Sequence, residues 1–239
     1  MKNPMLKLFA AAITLSVGIS APAFAEPPIG SRIDRGGKGL SQRHHQLTGS
    51  APRVGLYEYY RCRAALNRPV ALKALDMAFD GEEQQEQLSK VFRRYSWAVD
   101  EKEDCFTGLG NVQMHITSVG AMGSFAEWAI DAYYDADDVA RIASLTADDW
   151  KTTGLTPRNG SEAFGMCVTQ AHGTLVYDLV NSGLETAEES QAIQALVPHL
   201  GPCVRDGQEV SFDKTSLRSM LAFGLYRTLS EAAALRGEG

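Results

Sequence analysis

Two stretches decide the fold: "CFTGLGNVQMHITSVGAMGSFAEWAI" at 105–130 and "CVRDGQEVSFDKTSLRSMLAFGLYRTL" at 203–229. They align without a gap at an offset of 98, which carries Cys105 onto Cys203. Val112 then falls on Val210, Thr117-Ser118 on Thr215-Ser216, Val119 on Leu217, Met122 on Met220, Phe125 on Phe223 and Trp128 on Tyr226. Upstream, a second alignment at an offset of 105 carries Cys62 onto Cys167. It pairs Tyr59 with Phe164, Leu66 with Ala171, Val70 with Leu175, Leu88 with Ile193, Val91 with Leu196 and Phe92 with Val197. The two offsets differ by seven residues, placed most simply in "YSWAVDEKEDC" at 95–105. One apolar pattern with both cysteines in the same order is the signature of an internal repeat, and repeats govern the fold reading.

The repeat chooses among the cysteine pairings. Four cysteines, Cys62, Cys105, Cys167 and Cys203, allow three connectivities. Each repeat holds one cysteine in its first helical segment and one at the end of its second. The economical pairing is Cys62–Cys105 and Cys167–Cys203. On the chain-entropy model, each loop of about 40 residues is worth roughly 4 kcal/mol.

The first residues give the compartment. Lys2 and Lys7 form a basic start, Leu8 to Ser20 is apolar, and Ala23-Phe24-Ala25 is a small–x–small end. Residues 1–25 read as a secretory signal peptide. The apolar run is shorter than the ~20 residues that span a bilayer, and no later segment is long enough. Export to a periplasmic or secreted location is expected, with no transmembrane segment in the mature chain. Disulfides are at home in such an oxidising compartment.

Removing the signal leaves 214 residues (239 − 25) and moves the net charge from −6 to −8. An acidic body of this kind lacks the basic stripe of nucleic-acid binders. Residues 26–50 are rich in Gly, Pro, Ser and charge, and read as a flexible tail. His44-His45 in that tail reads as a solvated pair, because no third metal ligand is near.

Helix signals fill the rest, and the expected class is all-α: two tandem disulfide-stapled repeats of about three main helices each. Repeat 1 spans 51–135, a linker with a short helix spans 136–160, and repeat 2 spans 161–239. In repeat 2, Phe164, Val168, Ala171, Leu175 and Leu179 form a stripe at helical spacing, and Ser182-Gly183 ends it. Thr186-x-x-Glu189 reads as a capping box opening a helix with Ile193, Leu196 and Val197 inward. "EVSF" at 209–212 looks extended, and Asp213 caps a last helix with a stripe through Leu217, Met220, Leu221, Gly224 and Leu225. In repeat 1, Asp80-x-x-Glu83 is read as the counterpart of the Thr186 box. Pro69 predicts a break near Asn67. Gly120 and Gly123 predict a close helix–helix approach, and Thr146-x-x-Asp149 caps a short helical turn.

Chemical motifs are scarce. There is no CxxC, CxxCH, HExxH or GxSxG. "DADDVARIASLT" at 135–146 places Asp135 and Asp137 like calcium ligands, but Ala140 stands where the turn needs Gly and Thr146 where it needs Glu. His115, His172 and His199 are scattered along the chain. The acid pairs Asp137-Asp138, Asp148-Asp149 and Glu188-Glu189 sit at helix starts, where negative charge suits the dipole. Tyr57, Tyr59 and Tyr60 cluster before Cys62, and Trp128, Tyr133 and Tyr134 lie further on. Part of this set is expected in the core, and any that are exposed together would form a patch of the kind that marks a partner or ligand site.

The second repeat, with its "FGMCV" start at 164–168, its "SFDKTSLR" cap at 211–218 and its "LYR" end at 225–227, resembles a pattern of exported proteins of sphingomonad-type alphaproteobacteria. Repeat 1 fits that pattern poorly: "LRSML" at 217–221 becomes "VGAMG" at 119–123, so Arg218 has no counterpart. The resemblance implies export and the two-cysteine plan, and brings no activity with it. The leading expectation is a non-enzymatic binding or scaffolding protein of the cell envelope, with an envelope protein or small ligand as partner. No catalytic, cofactor or metal residue is assigned. The alternatives are an envelope hydrolase whose site assembles between the repeats, or a thiol-redox protein.

Overall fold

Pro69 breaks the first helical stretch where the sequence predicts. Helix α1 (Ala51–Leu66) stops, and α2 (Arg68–Leu75) restarts with the proline in its first turn, where a missing N–H costs nothing. The computed structural model describes residues 51–93, 105, 117–204 and 211–235. The expectations for the signal, the tail with His44-His45, His115 and the residues at 94–104 therefore lie outside the described residues. The remaining helices are α3 (Glu82–Arg93), α4 (Ser118–Tyr133), α5 (Ala136–Ala143), α6 (Ala147–Thr152), α7 (Gly160–Asn181), α8 (Ala187–Leu200) and α9 (Lys214–Leu235). A 3-10 turn, Gly201–Cys203, follows α8. The class is all-α, with no strand among the described residues. In "EVSF", Ser211 and Phe212 belong to no strand, and Glu209-Val210 lies outside the described residues.

Most helix starts follow local chemistry. Thr117 Oγ1 accepts from Gly120 N, Asn159 Oδ1 from Glu162 N, and Asp213 Oδ1 from Ser216 N. Full capping boxes open α5 (Asp135 with Asp138) and α6 (Thr146 with Asp149). The segment expected as a linker thus carries two helices. Val139 and Ile142 of α5 are buried, and α5 packs on α7 and α9.

The core is built around α4, α7 and α9. Helix α9 packs most extensively on α7 and then on α4; α1 lies on α4, and α8 on α7. Helix α4 is buried without interruption from Gly120 to Ile130, as a helix apolar all round requires. Two glycine contacts set the spacing. A Cβ on Gly165 or Gly224 would run into the backbone of the other helix, and one on Gly123 would collide with Ser219. Phe125, Phe223, Met122, Leu221 and Leu225 fill the centre, with the rings of Phe79 and Phe223 4.9 Å apart. Tyr59, Tyr60 and Trp128 are core, while Tyr133 is half exposed.

Disulfides join Cys62 to Cys105 and Cys167 to Cys203, leaving no free cysteine.

Three expectations need correction. Ala171 is exposed, because α7 leaves helical geometry at His172 (φ −143°, ψ 40°). Beyond that kink the buried face runs through Val176, Leu179 and Val180. Val197 is 56% exposed, and the apolar side chain of α8 that turns fully inward is Leu196. Asp80 is not the cap of α3. It is left-handed (φ 56°), and its N–H donates to Gln84 Oε1 at 2.7 Å. Its true counterpart is Glu185, also left-handed (φ 60°), whose N–H donates to Glu189 Oε2 at 2.9 Å. Asp80 and Glu185 stand at the same 105-residue offset as Cys62 and Cys167, one residue away from the sequence reading.

Candidate functional site

A basic residue in the apolar stripe of α9 organises the site. Arg218 follows Leu217 in "SLRSML", and its side chain is 3% exposed. Its Nε and Nη2 donate to the two oxygens of Glu127, each at 2.8 Å, in the bidentate fork that suits guanidinium and carboxylate. Nη1 donates to Glu189 Oε1 at 3.1 Å and to Ser182 Oγ at 3.2 Å. Nη2 also reaches the carbonyls of Val180 and Ser182 at 2.9 and 3.0 Å. These carbonyls belong to the end of α7, where helices leave acceptors without intrahelical partners. One arginine therefore ties α4, α8 and the end of α7 to α9.

The cluster extends in two directions. Tyr57 Oη donates to Glu127 at 2.5 Å and accepts from Arg61 Nη1 at 2.8 Å; Arg61 Nη2 donates to Asp131 at 2.8 Å. On the other side Arg53 donates to both oxygens of Glu189 at 2.7 and 2.8 Å, to Glu185 at 2.7 Å and, through Nε, to Thr215 Oγ1 at 3.0 Å. Glu189 is wholly buried. Thr186 does cap α8 by accepting from Glu189 N, but the Glu189 carboxylate turns inward to the arginines and the Glu185 N–H instead of closing a capping box.

The titration directions follow from this wiring. Burial alone pulls the Arg218 guanidinium down, but the hydrogen bonds and charge of Glu127 outweigh it and hold the group above its ordinary value. Burial, reinforced by Glu127, pushes the Tyr57 phenol up, so it serves as a donor and not as a phenolate. Burial pushes the Glu189 carboxyl up, and the opposing hydrogen bonds from Arg53 and the Glu185 backbone bring it below its ordinary value.

Beside this cluster lies a cleft of about 330 Å³ between α1, α4 and the start of α9. Pro52, Leu56, Tyr60, Gly120 and Leu184 give it a largely apolar lining; Thr215, Ser124 and the paired Arg53, Glu127 and Arg218 supply its polar edge. A smaller cleft of about 230 Å³ opens on the far side of Tyr57 and Glu127, next to Glu58, Arg61 and Asp131. A third depression, broad and open at about 630 Å³, lies between α6 and α7 beside Trp150, Leu155 and Cys167, away from the buried charges. The buried Trp150 Nε1 carries no hydrogen bond.

The charged groups on the wall of the cleft between α1, α4 and α9 are engaged with one another. The carboxylate on its wall, Glu127, is held by Arg218 and Tyr57, and the wall's Arg53 is held by Glu189 behind it, so the charges lining the cleft are already paired. The two described histidines, His172 and His199, lie elsewhere, with ring centroids 3.9 Å apart and planes 33° from parallel. Burial, with the neighbouring His199 behind it, holds the His172 imidazole below its ordinary value. Among the described residues no three His, Cys, Asp or Glu side chains converge as a metal site.

The cysteines are placed as the repeat predicts, but sequence reasoning missed Arg218, Glu127, Glu189, Arg53 and Tyr57 as one unit. Two signals were there: an arginine inside an apolar stripe, and Glu127 inside the apolar run "SFAEWAI" at 124–130. No protein-family model, curated protein or solved structure matches this chain.

Proposed function

We propose that this chain is an exported binding protein of the cell envelope that holds a small, uncharged, apolar ligand in the cleft between α1, α4 and α9. The observation that carries this reading is the pairing of an apolar lining with a fully compensated charged wall. A charged ligand would give up water there without meeting a free counter-charge, which is costly. An uncharged apolar ligand gives up little and buries its surface in a cleft of the size small-molecule sites have. The signal-like residues 1–25, the resemblance to exported proteins and the two disulfides support an oxidising location outside the cytoplasm. Among the described residues no helix is long and apolar enough to cross a membrane. A hydrolase at this cleft would need a free acid or base, and the carboxylate in its lining, Glu127, is tied to Arg218.

The test is titration with N-phenyl-1-naphthylamine, an uncharged apolar probe whose fluorescence rises on burial. The expected result is saturable 1:1 binding that weakens roughly tenfold, or ~1.4 kcal/mol, in Leu184→Lys, which brings an unpaired charge to the lining. No saturable binding, or equal affinity in the variant, contradicts the reading.

A further inference from the structure

We propose, on the reading of the cleft between α1, α4 and α9 as a ligand site, that its ligand is a carbonyl compound: an uncharged apolar molecule whose carbonyl oxygen accepts hydrogen bonds from Ser219 and Tyr60.

Where α4 meets α9 the lining of the cleft is rich in hydroxyls. Helix α9 brings Thr215 and Ser219 to it one turn apart, and α4 brings Gly120 and Ser124 at the same spacing, so each pair shares a helix face. A Cβ on Gly120 would meet Thr117 Oγ1 at 2.9 Å, the Tyr60 ring at 3.6 Å and the Thr215 methyl at 3.9 Å, so these three side chains surround one spot on α4. The acceptors there are already used. Tyr60 Oη accepts from Thr117 N at 3.2 Å, and Thr215 Oγ1 accepts from Arg53 Nε at 3.0 Å. The Gly120 carbonyl takes the Ser124 hydroxyl, and Glu127 takes the Tyr57 hydroxyl. What is left over is donors.

Ser219 and Tyr60 hold the buried ones. In this bundle Ser124, Thr169 and Thr228 each turn their hydroxyl to the carbonyl four residues back. Ser219 does not: it is 5% exposed, and among the described residues its Oγ makes no hydrogen bond. Tyr60 is 3% exposed, and no described group accepts from its O–H. Burial pushes the Tyr60 phenol up, so it keeps its proton. Buried hydroxyls without a partner are costly, and both line the cleft.

This surplus of donors selects the ligand. A carbonyl oxygen offers two lone pairs and brings no proton that needs an acceptor. An alcohol would add a donor where the acceptors are taken. A carboxylate would meet no free cation, since Arg53 and Arg218 are paired. A plain hydrocarbon would cover the hydroxyls and leave them unbonded.

The experiment is displacement of N-phenyl-1-naphthylamine from the whole protein by 2-acetonaphthone and by 2-isopropylnaphthalene, in which a methyl group stands for the carbonyl oxygen. Ser219→Ala should weaken the ketone about fivefold and Tyr60→Phe by a similar factor, while the affinity of the hydrocarbon changes by less than about twofold. Circular dichroism checks the helices of each variant. Ser219→Ala places a stronger helix former in α9, so it decides alone should Tyr60→Phe lose structure. Equal losses for ketone and hydrocarbon, or a ketone affinity unchanged in both variants, would overturn the carbonyl assignment while leaving the cleft as an apolar site. Failure of N-phenyl-1-naphthylamine to bind the wild type would overturn the cleft reading and the carbonyl assignment with it.

Discussion

At Asp80 and at Glu185 the chain turns through the same left-handed conformation, and in both places the side chain four residues on takes up the N–H of the turn. At the first corner that side chain is Gln84, fully buried, which returns its own Nε2–H to the carbonyl of Ala74 at 3.0 Å. Two neutral bonds satisfy it, and it stays a local device between α2 and α3. At the second corner the side chain is Glu189, equally buried. A carboxylate in that slot carries a desolvation cost that a single N–H cannot offset. It draws Arg53 from α1 and Arg218 from α9, and through Arg218 it joins Glu127 on α4. Exchanging an amide for a carboxylate turns a helix cap into the junction of four helices, and the apolar cleft forms alongside it.

The largest effects should come from upsetting this charge balance. Arg218→Met leaves Glu127 and Glu189 short of their shared partner and strips the end of α7 of its donor, at a cost of about 3–5 kcal/mol in urea unfolding. Gln84→Glu should be similarly severe, about 3–5 kcal/mol, because it places a carboxylate in a buried slot facing the Ala74 carbonyl, whose Nε2–H partner it also removes. The reverse exchange, Glu189→Gln, makes the second corner resemble the first. It keeps the acceptor for Glu185 N–H and should cost less, roughly 1.5–3 kcal/mol, as the arginines lose a charged acceptor. Equal costs for Gln84→Glu and Glu189→Gln would mean that the two corners differ in sequence and not in energetics.

Acid titration gives a smaller signal. The folded-state value of the Glu189 carboxyl is depressed, so its contribution is fully present above the unfolded value near 4.5 and is lost as pH falls through the lower folded value. Wild-type stability should therefore fall more steeply than that of Glu189→Gln as pH drops below about 4.5, measured by urea unfolding at stepped pH. Identical slopes would remove Glu189 from the account. The smallest effect is at the surface: Lys151→Ala, which breaks the exposed pair with Asp148, should change stability by less than about 0.5 kcal/mol.

What was legible in the sequence was local or duplicated. The break at Asn67-Pro69, the Thr146 box, the Asp213 cap and the close approach at Gly123 each depend on residues within a few positions or on one small side chain. The disulfide pairs came from the repeated order of the cysteines. Glu189 was misread because an acid in the first turn of a helix has a sufficient explanation in the dipole. Its burial depends on Arg53 and Arg218, 136 and 29 residues away. Ala171 and Val197 were misplaced because periodicity assumes straight helices, and α7 bends at His172. The cleft had no sequence signal, since its lining gathers single residues from α1, α4, α9 and the loop at Leu184.

The most direct test of the proposed function is to locate a bound ligand by methyl NMR. With Leu, Ile, Val and Thr methyls labelled, N-phenyl-1-naphthylamine should shift Leu56, Leu184 and Thr215 while leaving Leu145 and Leu155, beside the α6–α7 depression, unmoved. Shifts confined to Leu145 and Leu155, or no saturable shift at any methyl, would contradict the assignment of the cleft between α1, α4 and α9 as the binding site.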